Sequence, residues 1–230
     1  MRVLAIDTAL AACSAAILDT HGGHDGGIVA SESLPMVRGH AEALIPLLAR
    51  IAGEARMMFR NFDRVVVTTG PGSFTGLRVG IAAARGIALA IGKPAVGLST
   101  LSAYAAPYLA DDENTPVVVA IDARHDHVYL EVFGPGGRTV VAPRLASLAD
   151  AARAAALAPA RIVGSAAPAV ANALVAMNAA SVLVDPRGAP DIDWVARMGA
   201  AIPDGQAPPK PQYLRAPDAQ PQNAAQLPRR

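Results

Sequence analysis

The chain runs through one order of elements twice, and no other feature limits its fold as much. The two openings align without a gap. Val3-Leu-Ala-Ile-Asp7-Thr-Ala-Leu-Ala-Ala-Cys-Ser-Ala-Ala-Ile-Leu18 matches Val118-Val-Ala-Ile-Asp122-Ala-Arg-His-Asp-His-Val-Tyr-Leu-Glu-Val-Phe133. Apolar runs and alternation predict strands at 3–6, 13–18, 28–34, 65–69 and 95–98, and again at 117–121, 128–133, 138–141, 161–163 and 182–184. Helical spacing predicts helices at 38–59, 74–91 and 100–109, then at 147–157, 169–177 and 191–202. The predicted order is βββαβαβα, twice, with a period of half the chain, far above that of stacked arrays. Antiparallel strands feeding a strand–helix alternation give a mixed sheet with helices on its faces. The expected fold is α/β, with an N-terminal lobe at 1–110, a smaller second copy at 111–202, and a cleft between them faced by Asp7 and Asp122. From Pro203 the pattern dissolves into an extended tail, 203–230, in which seven of 28 residues are proline. Tyr213-Leu214-Arg215 is an apolar clip that would dock on the body, and 220–230 is expected to be disordered.

Composition narrows the function classes. Hydrophobic residues make up 52% of the 230 and charged ones 17%, with a formal net charge of +1. The balance lacks the basic excess of a protein that grips nucleic acid by itself. A single cysteine excludes an internal disulfide and suits a reducing, cytoplasmic setting. Leu10-Ala11-Ala12-Cys13 imitates a lipoprotein cleavage site, but Asp7 interrupts the apolar run before it. No stretch reaches the roughly 20 uncharged apolar residues of a membrane span.

The glycine-rich stretch Thr68-Thr69-Gly70-Pro71-Gly72-Ser73-Phe74-Thr75-Gly76-Leu77-Arg78-Val79-Gly80 joins a predicted strand to a long apolar helix. Such a junction aims backbone amides at an anion. It matches no standard template. A phosphate-binding Walker loop would need a lysine that is absent here. A dinucleotide fingerprint would place its third glycine one residue before Gly76. Ser73 lacks the flanking glycines of a nucleophile elbow. Two readings stay open: a turn that lets the helix pack closely on the sheet, or a nucleotide cleft built from Asp7, Gly72, Ser73 and Asp122. Each aspartate reads first as a cap on its own turn, Asp122 more clearly than Asp7.

No metal-ligand spacing is present. His21, His24, His125 and His127 fall in polar turns, and Cys13 reads as a small core residue. The helices at 38–59 and 74–91 are apolar over wide arcs, more than one sheet face covers. Gly76, Gly80 and Ala84 form a small-residue ridge. A protein partner is the simplest cover, over Arg38, His40, Leu44, Leu47, Ile51, Phe74, Gly76, Leu77, Gly80 and Ala84. On that reading Leu47→Glu or Gly80→Leu would break the pairing and leave the fold intact.

Several blocks together resemble the TsaB (YeaZ) family. They are Ala5-Ile-Asp-Thr8, Arg38-Gly-His40 with Leu-Ile-Pro46, Gly70-Pro-Gly-Ser-Phe-Thr-Gly-Leu-Arg78-Val-Gly80, Gly97-Leu-Ser-Thr100-Leu101, Asp122-Ala-Arg124 and Tyr213-Leu-Arg215. The resemblance implies duplicated ribonuclease-H-like lobes of the actin/sugar-kinase/Hsp70-like superfamily. It also implies a non-catalytic role in making threonylcarbamoyladenosine next to the tRNA anticodon. The implied partners are a catalytic TsaD-like subunit and a TsaE-like ATPase, with self-pairing when alone, no membrane, and tRNA reached only through the complex. TsaD-like sequences carry two metal-binding histidines where this chain has Thr100 and Tyr104, so no metal is expected. No cofactor is expected beyond a nucleotide at the complex interface. The competing expectation is a free-standing ATP- or metal-dependent enzyme of the same superfamily, a kinase or a glycoprotease-like hydrolase.

Overall fold

A computed structural model describes residues 1–21 and 27–215. Most of the connection between the strands expected at 13–18 and 28–34, and the end of the tail, therefore lie outside the described residues. Strands β1 (Arg2–Asp7), β2 (Ala12–Asp19), β3 (Gly27–Pro35), β4 (Arg64–Gly70) and β5 (Ala95–Ser99) form one sheet in the order β3-β2-β1-β4-β5. Strands β6 (Val117–Asp122), β7 (His127–Phe133), β8 (Thr139–Ser147), β9 (Arg161–Val163) and β10 (Leu183–Asp185) form a second, in the order β10-β9-β6-β7-β8. Read from the other edge, the second order is the first one repeated. In both sheets the first three strands are antiparallel and the last two join in parallel. The duplication read from the openings is thus a duplication of whole sheets.

The helices are α1 (His40–Glu54), α2 (Phe74–Ile91), α3 (Thr100–Asp111), α4 (Leu148–Ala155), α5 (Ala167–Ala176) and α6 (Ile192–Ala201). Helix α2 keeps its expected limits because Ser73 caps its start and Gly92, at φ 66°, ends it in the left-handed region. Helix α1 stops earlier than its apolar spacing suggests. Arg56 turns left-handed at φ 51°, and the Met57 amide reaches back to the Ala52 carbonyl. Strand β8 runs on to Ser147, beyond the expected end at 141 and through Pro143. An edge strand tolerates proline because its outer amides need no partner.

Packing crosses the two copies. Helices α1 and α2 cover one face of the first sheet through Leu44, Leu47, Ile51, Leu77, Ile81 and Ala84. Its other face is covered by α6, the last helix of the second copy, through Ile192, Val195 and Ala196. Gly199 of α6 has no room for a side chain, since a Cβ there would lie 2.3 Å from Val66. Reciprocally, α3 of the first copy packs on the second sheet through Leu101, Tyr104 and Ala105. Helices α4 and α5 cover that sheet's far face.

One arginine secures each exchanged helix. The last carbonyls of a helix have no partners within it and carry partial negative charge. Arg64, at the start of β4 and 4% exposed, donates to the carbonyls of Gly199 (2.8 Å) and Ile202 at the end of α6, and pairs with Asp204. Arg161, at the start of β9, donates to the Tyr108 carbonyl (2.7 Å) and to Asp111 (2.8 Å) at the end of α3. Because the exchange ties both sheets into one unit, Arg64→Met should lower the unfolding free energy by about 2–4 kcal/mol. Urea titration should show this with both lobes still melting in a single transition.

Glu131 is a buried carboxyl in the second lobe. It is 4% exposed, its Oε1 receives a long bond from the Thr139 hydroxyl (3.4 Å), and its Oε2 has no partner among the described residues. Burial pushes its carboxyl from 4.5 up to about 7. The folded state therefore holds this proton more tightly than the unfolded chain does. Its contribution to stability is undiminished below about pH 4.5 and falls as pH rises towards 7. Glu131→Gln should abolish that fall, and the variant should exceed the parent by roughly 3 kcal/mol above pH 7. Urea unfolding measured from pH 4 to pH 8 checks the slope.

Candidate functional site

The glycine-rich stretch leaves β4 at Gly70, whose φ of 115° only glycine adopts readily, and passes through a cis bond to Pro71. It then lies against the turn that follows β1. The Ser73 amide donates to the Ala9 carbonyl (2.7 Å), and the Thr8 hydroxyl donates to the Gly76 carbonyl (2.7 Å). A Cβ on Gly72 would stand 2.4 Å from the Ala9 carbonyl oxygen, and one on Gly76 would stand 2.1 Å from that of Thr8. On Gly80 it would meet the Thr8 hydroxyl oxygen at 2.4 Å. This geometry gives the glycines the close-packing role: where their side chains would stand, the protein's own backbone does.

Asp7 lies beneath this seal, fully buried. Its Oδ1 accepts from the Ala9 amide (3.2 Å) and the Thr68 hydroxyl, while Oδ2 has no partner among the described residues. Burial raises its pKa to about 6, against the opposing pull of those two bonds. Asp122, its counterpart, is exposed and accepts from the Arg124 amide at 2.8 Å. Both aspartates thus cap the turns they precede. Asp122, Gly72 and Ser73 line a common cleft of 530 Å³ between the loop and the second lobe, but Asp7 does not.

The tail closes one side of that cleft. Its path passes Gly97, where a Cβ would stand 3.2 Å from Pro209, and the Gln212 amide donates to the Thr69 carbonyl (2.8 Å). Tyr213 packs on Phe74 with ring centres 5.3 Å apart, and its hydroxyl accepts from Arg78 Nε at 3.1 Å. The Arg78 guanidinium lies 3.7 Å from the centre of the Phe74 ring. Arg215 donates to the Ala123 carbonyl (2.8 Å). The expected clip is present, and it joins the loop of the first copy to the opening strand of the second.

The residues expected to meet a partner fall differently. Leu44, Leu47, Ile51, Leu77 and Ala84 are at most 1% exposed, and Gly76 and Gly80 are also buried. His40 is 7% exposed, with Nε2 3.0 Å from the Leu10 carbonyl. These are core residues of the first lobe, so Leu47→Glu and Gly80→Leu would unfold it rather than uncouple a partner. Of the expected set, only Arg38 and Phe74 are exposed. The outer faces of α1 and α2 instead present Ile45 and Leu89, at 60% and 85% exposure, among Ala49, Gly53, Ala82 and Gly86. Helix α2 is long and apolar enough to cross a membrane by composition, yet it lies along β4 within the first lobe.

Thr100 and Tyr104 are fully buried on α3, and the Tyr104 hydroxyl donates to the Arg187 carbonyl at 3.1 Å. Among the described residues no three acidic, histidine or cysteine side chains gather as a metal site would require. His21 and His125 lie in exposed turns, as their setting suggested, His127 is the exposed first residue of β7, and His24 falls outside the described residues. The sequence reading missed Arg64 and Arg161. Extending the repeat to Arg64-Val-Val-Val67 and Arg161-Ile-Val163 would have flagged both as matching strand starts.

Comparison with known proteins follows the same division. Residues 15–203 match the family model described as TsaD, tRNA N6-adenosine threonylcarbamoyltransferase. An uncharacterized protein of Mycobacterium tuberculosis is 36% identical over 219 residues, covering 95% of this chain and 94% of that one. The tRNA threonylcarbamoyladenosine biosynthesis protein TsaB of Escherichia coli is 38% identical over 129 residues, 56% of this chain and 53% of that protein. A crystal structure described as an uncharacterized protein with similarity to peptidase YEAZ from Pseudomonas aeruginosa superposes with a TM-score of 0.70. It is 28% identical, over 93% of this chain and 99% of that one. The duplicated sheets are those of the actin/sugar-kinase fold. With its family model matched across both copies and its relatives named TsaB and YeaZ, the chain belongs to the TsaD family and, within it, to the TsaB (YeaZ) group.

Proposed function

We propose that this protein is the non-catalytic subunit that a TsaD-like enzyme requires to form threonylcarbamoyladenosine in tRNA. The observation that carries the reading is a pair of glycines the fold does not need. Gly86, in the middle of α2, and Gly53, near the end of α1, are exposed, and a Cβ at either would meet nothing within 4 Å. A glycine inside a helix costs about 1 kcal/mol relative to alanine. Gly72, Gly76 and Gly80 are accounted for by the contact with Thr8 and Ala9. Gly53 and Gly86, beside Ala49 and Ala82, are accounted for by another helix that approaches closely. A subunit built on the same duplicated fold supplies such helices.

Absence of catalysis has two supports. Asp7 is sealed under the loop, and the positions corresponding to TsaD-like metal ligands are a buried threonine and a buried tyrosine. The same facts weigh against a free-standing kinase or metallohydrolase. A TsaE-like ATPase would act on the assembled pair, which operates in the cytoplasm, and the outer faces of α1 and α2 would mediate self-pairing when the catalytic subunit is missing.

Co-purification with a TsaD-like subunit tests the pairing. Gly86→Leu and Ala82→Glu should abolish capture while leaving the unfolding midpoint of the isolated chain nearly unchanged. Gly86→Ala should raise the isolated chain's stability by about 0.5–1 kcal/mol and weaken capture. Retained capture by both bulky variants would place the interface elsewhere. Turnover of ATP by the chain alone would overturn the non-catalytic assignment.

A further inference from the structure

The 530 Å³ cleft has a lining that pairing through α1 and α2 does not call for. Three aromatic rings edge it. Phe74 and Tyr213 are 42% and 43% exposed, and Tyr129 of β7 also lines it. Phe74 and Tyr213 already lie side by side, with ring centres 5.3 Å apart and planes tilted by 31°, and the Arg78 guanidinium lies 3.7 Å from the Phe74 ring centre and bonds the Tyr213 hydroxyl. The clip is closed by the Tyr213 hydroxyl and the Gln212 amide, so the tail is held without enclosing the rings. Arg124 and Arg215 also line the cleft, as does Asp122, which accepts from the Arg124 amide, while Arg215 donates to the Ala123 carbonyl. The start of α2, with its partial positive charge, opens at the same place. Flat rings for bases and guanidinium groups for phosphates are what single-stranded nucleic acid is bound by. The overall charge of +1 hides this because the basic groups are local.

We infer that the cleft between the glycine-rich loop and the second lobe binds an unpaired nucleotide of an RNA strand directly, with its base against Tyr213 and Phe74 and its phosphates on Arg124 and Arg215. The choice of RNA rests on the tRNA-modification reading proposed above. It replaces the expectation that tRNA is reached only through the catalytic subunit. Base stacking sets the affinity, and the arginines set its dependence on salt.

The test uses the isolated full-length chain and a fluorescent single-stranded RNA of 12 nucleotides, with a duplex of the same sequence and AMP as competitors. The single strand should bind, and should weaken as salt rises. Tyr213→Leu and Phe74→Leu should each weaken binding by about tenfold. Arg124→Ala, at an exposed site that the fold does not need, should lower the salt slope by about 0.7. Unfolding midpoints confirm that each variant is folded. The inference is overturned if the single strand fails to bind at 50 mM salt, or if all variants bind like the parent. Competition by AMP at the affinity of the strand also overturns it, because the site would then take free nucleotides. Capture of the catalytic subunit is a separate assay, so either reading can fail without the other.

Discussion

Two backbone carbonyls, those of Thr8 and Ala9, set the position of everything around the loop. They stand where side chains at Gly72 and Gly76 would have to be. The loop and the first turns of α2 can therefore settle directly on the turn after β1, and the Thr8 hydroxyl and Ser73 amide hold them there. From that contact follow the burial of Asp7, the direction of α2 along the sheet, and the placing of Phe74 and Arg78 beside the tail. Asp7 is thereby shut away from the cleft that its counterpart Asp122 lines.

Duplication supplies a second kind of constraint. Each copy keeps the strand order but gives its last helix to the other, so neither sheet is complete without residues from the opposite half of the chain. The two arginine caps sit at matching strand starts and do the same work on opposite helix ends. The copies diverge where function would be read. The loop of the first copy is sealed with glycines, while in the second copy Asp122 is exposed at the edge of the cleft. A left-handed glycine after β9, Gly164 at φ 110°, approaches the Ala120 carbonyl closely, as Gly72 does that of Ala9. The copies share a backbone device and differ in what it covers.

The order of elements and the repeat were legible because buried strands and apolar helices have distinct periods. Helix α2 and strand β9 have the limits their residues announce. The ends of α1 and β8 were not legible, since nothing local marks Arg56 as left-handed or Pro143 as lying on an outer edge. The larger gap concerns faces. Helical spacing says that Leu44, Leu47 and Ile51 share a side, but not whether a sheet or a second protein lies against it. Gly76, Gly80 and Gly86 look alike in the sequence. Only the distance from each to a neighbouring atom separates the two that the fold requires from the one it leaves bare. The cleft was half visible. Asp122, Gly72 and Ser73 come together and the Tyr213-Leu214-Arg215 clip docks beside them, but Tyr129 reaches the cleft through tertiary contacts that no local pattern encodes.

The exchange of α6 has a consequence for how the chain is made. One face of the first sheet, carrying Val3, Ala5, Val66 and Val96, is covered by residues 192–196. During synthesis those strands leave the ribosome well before the helix that shields them, which follows only at Ile192. The first sheet must therefore wait with an apolar face unprotected until the second copy has been made. Its final closure is marked by the arrival of the carbonyls that Arg64 holds.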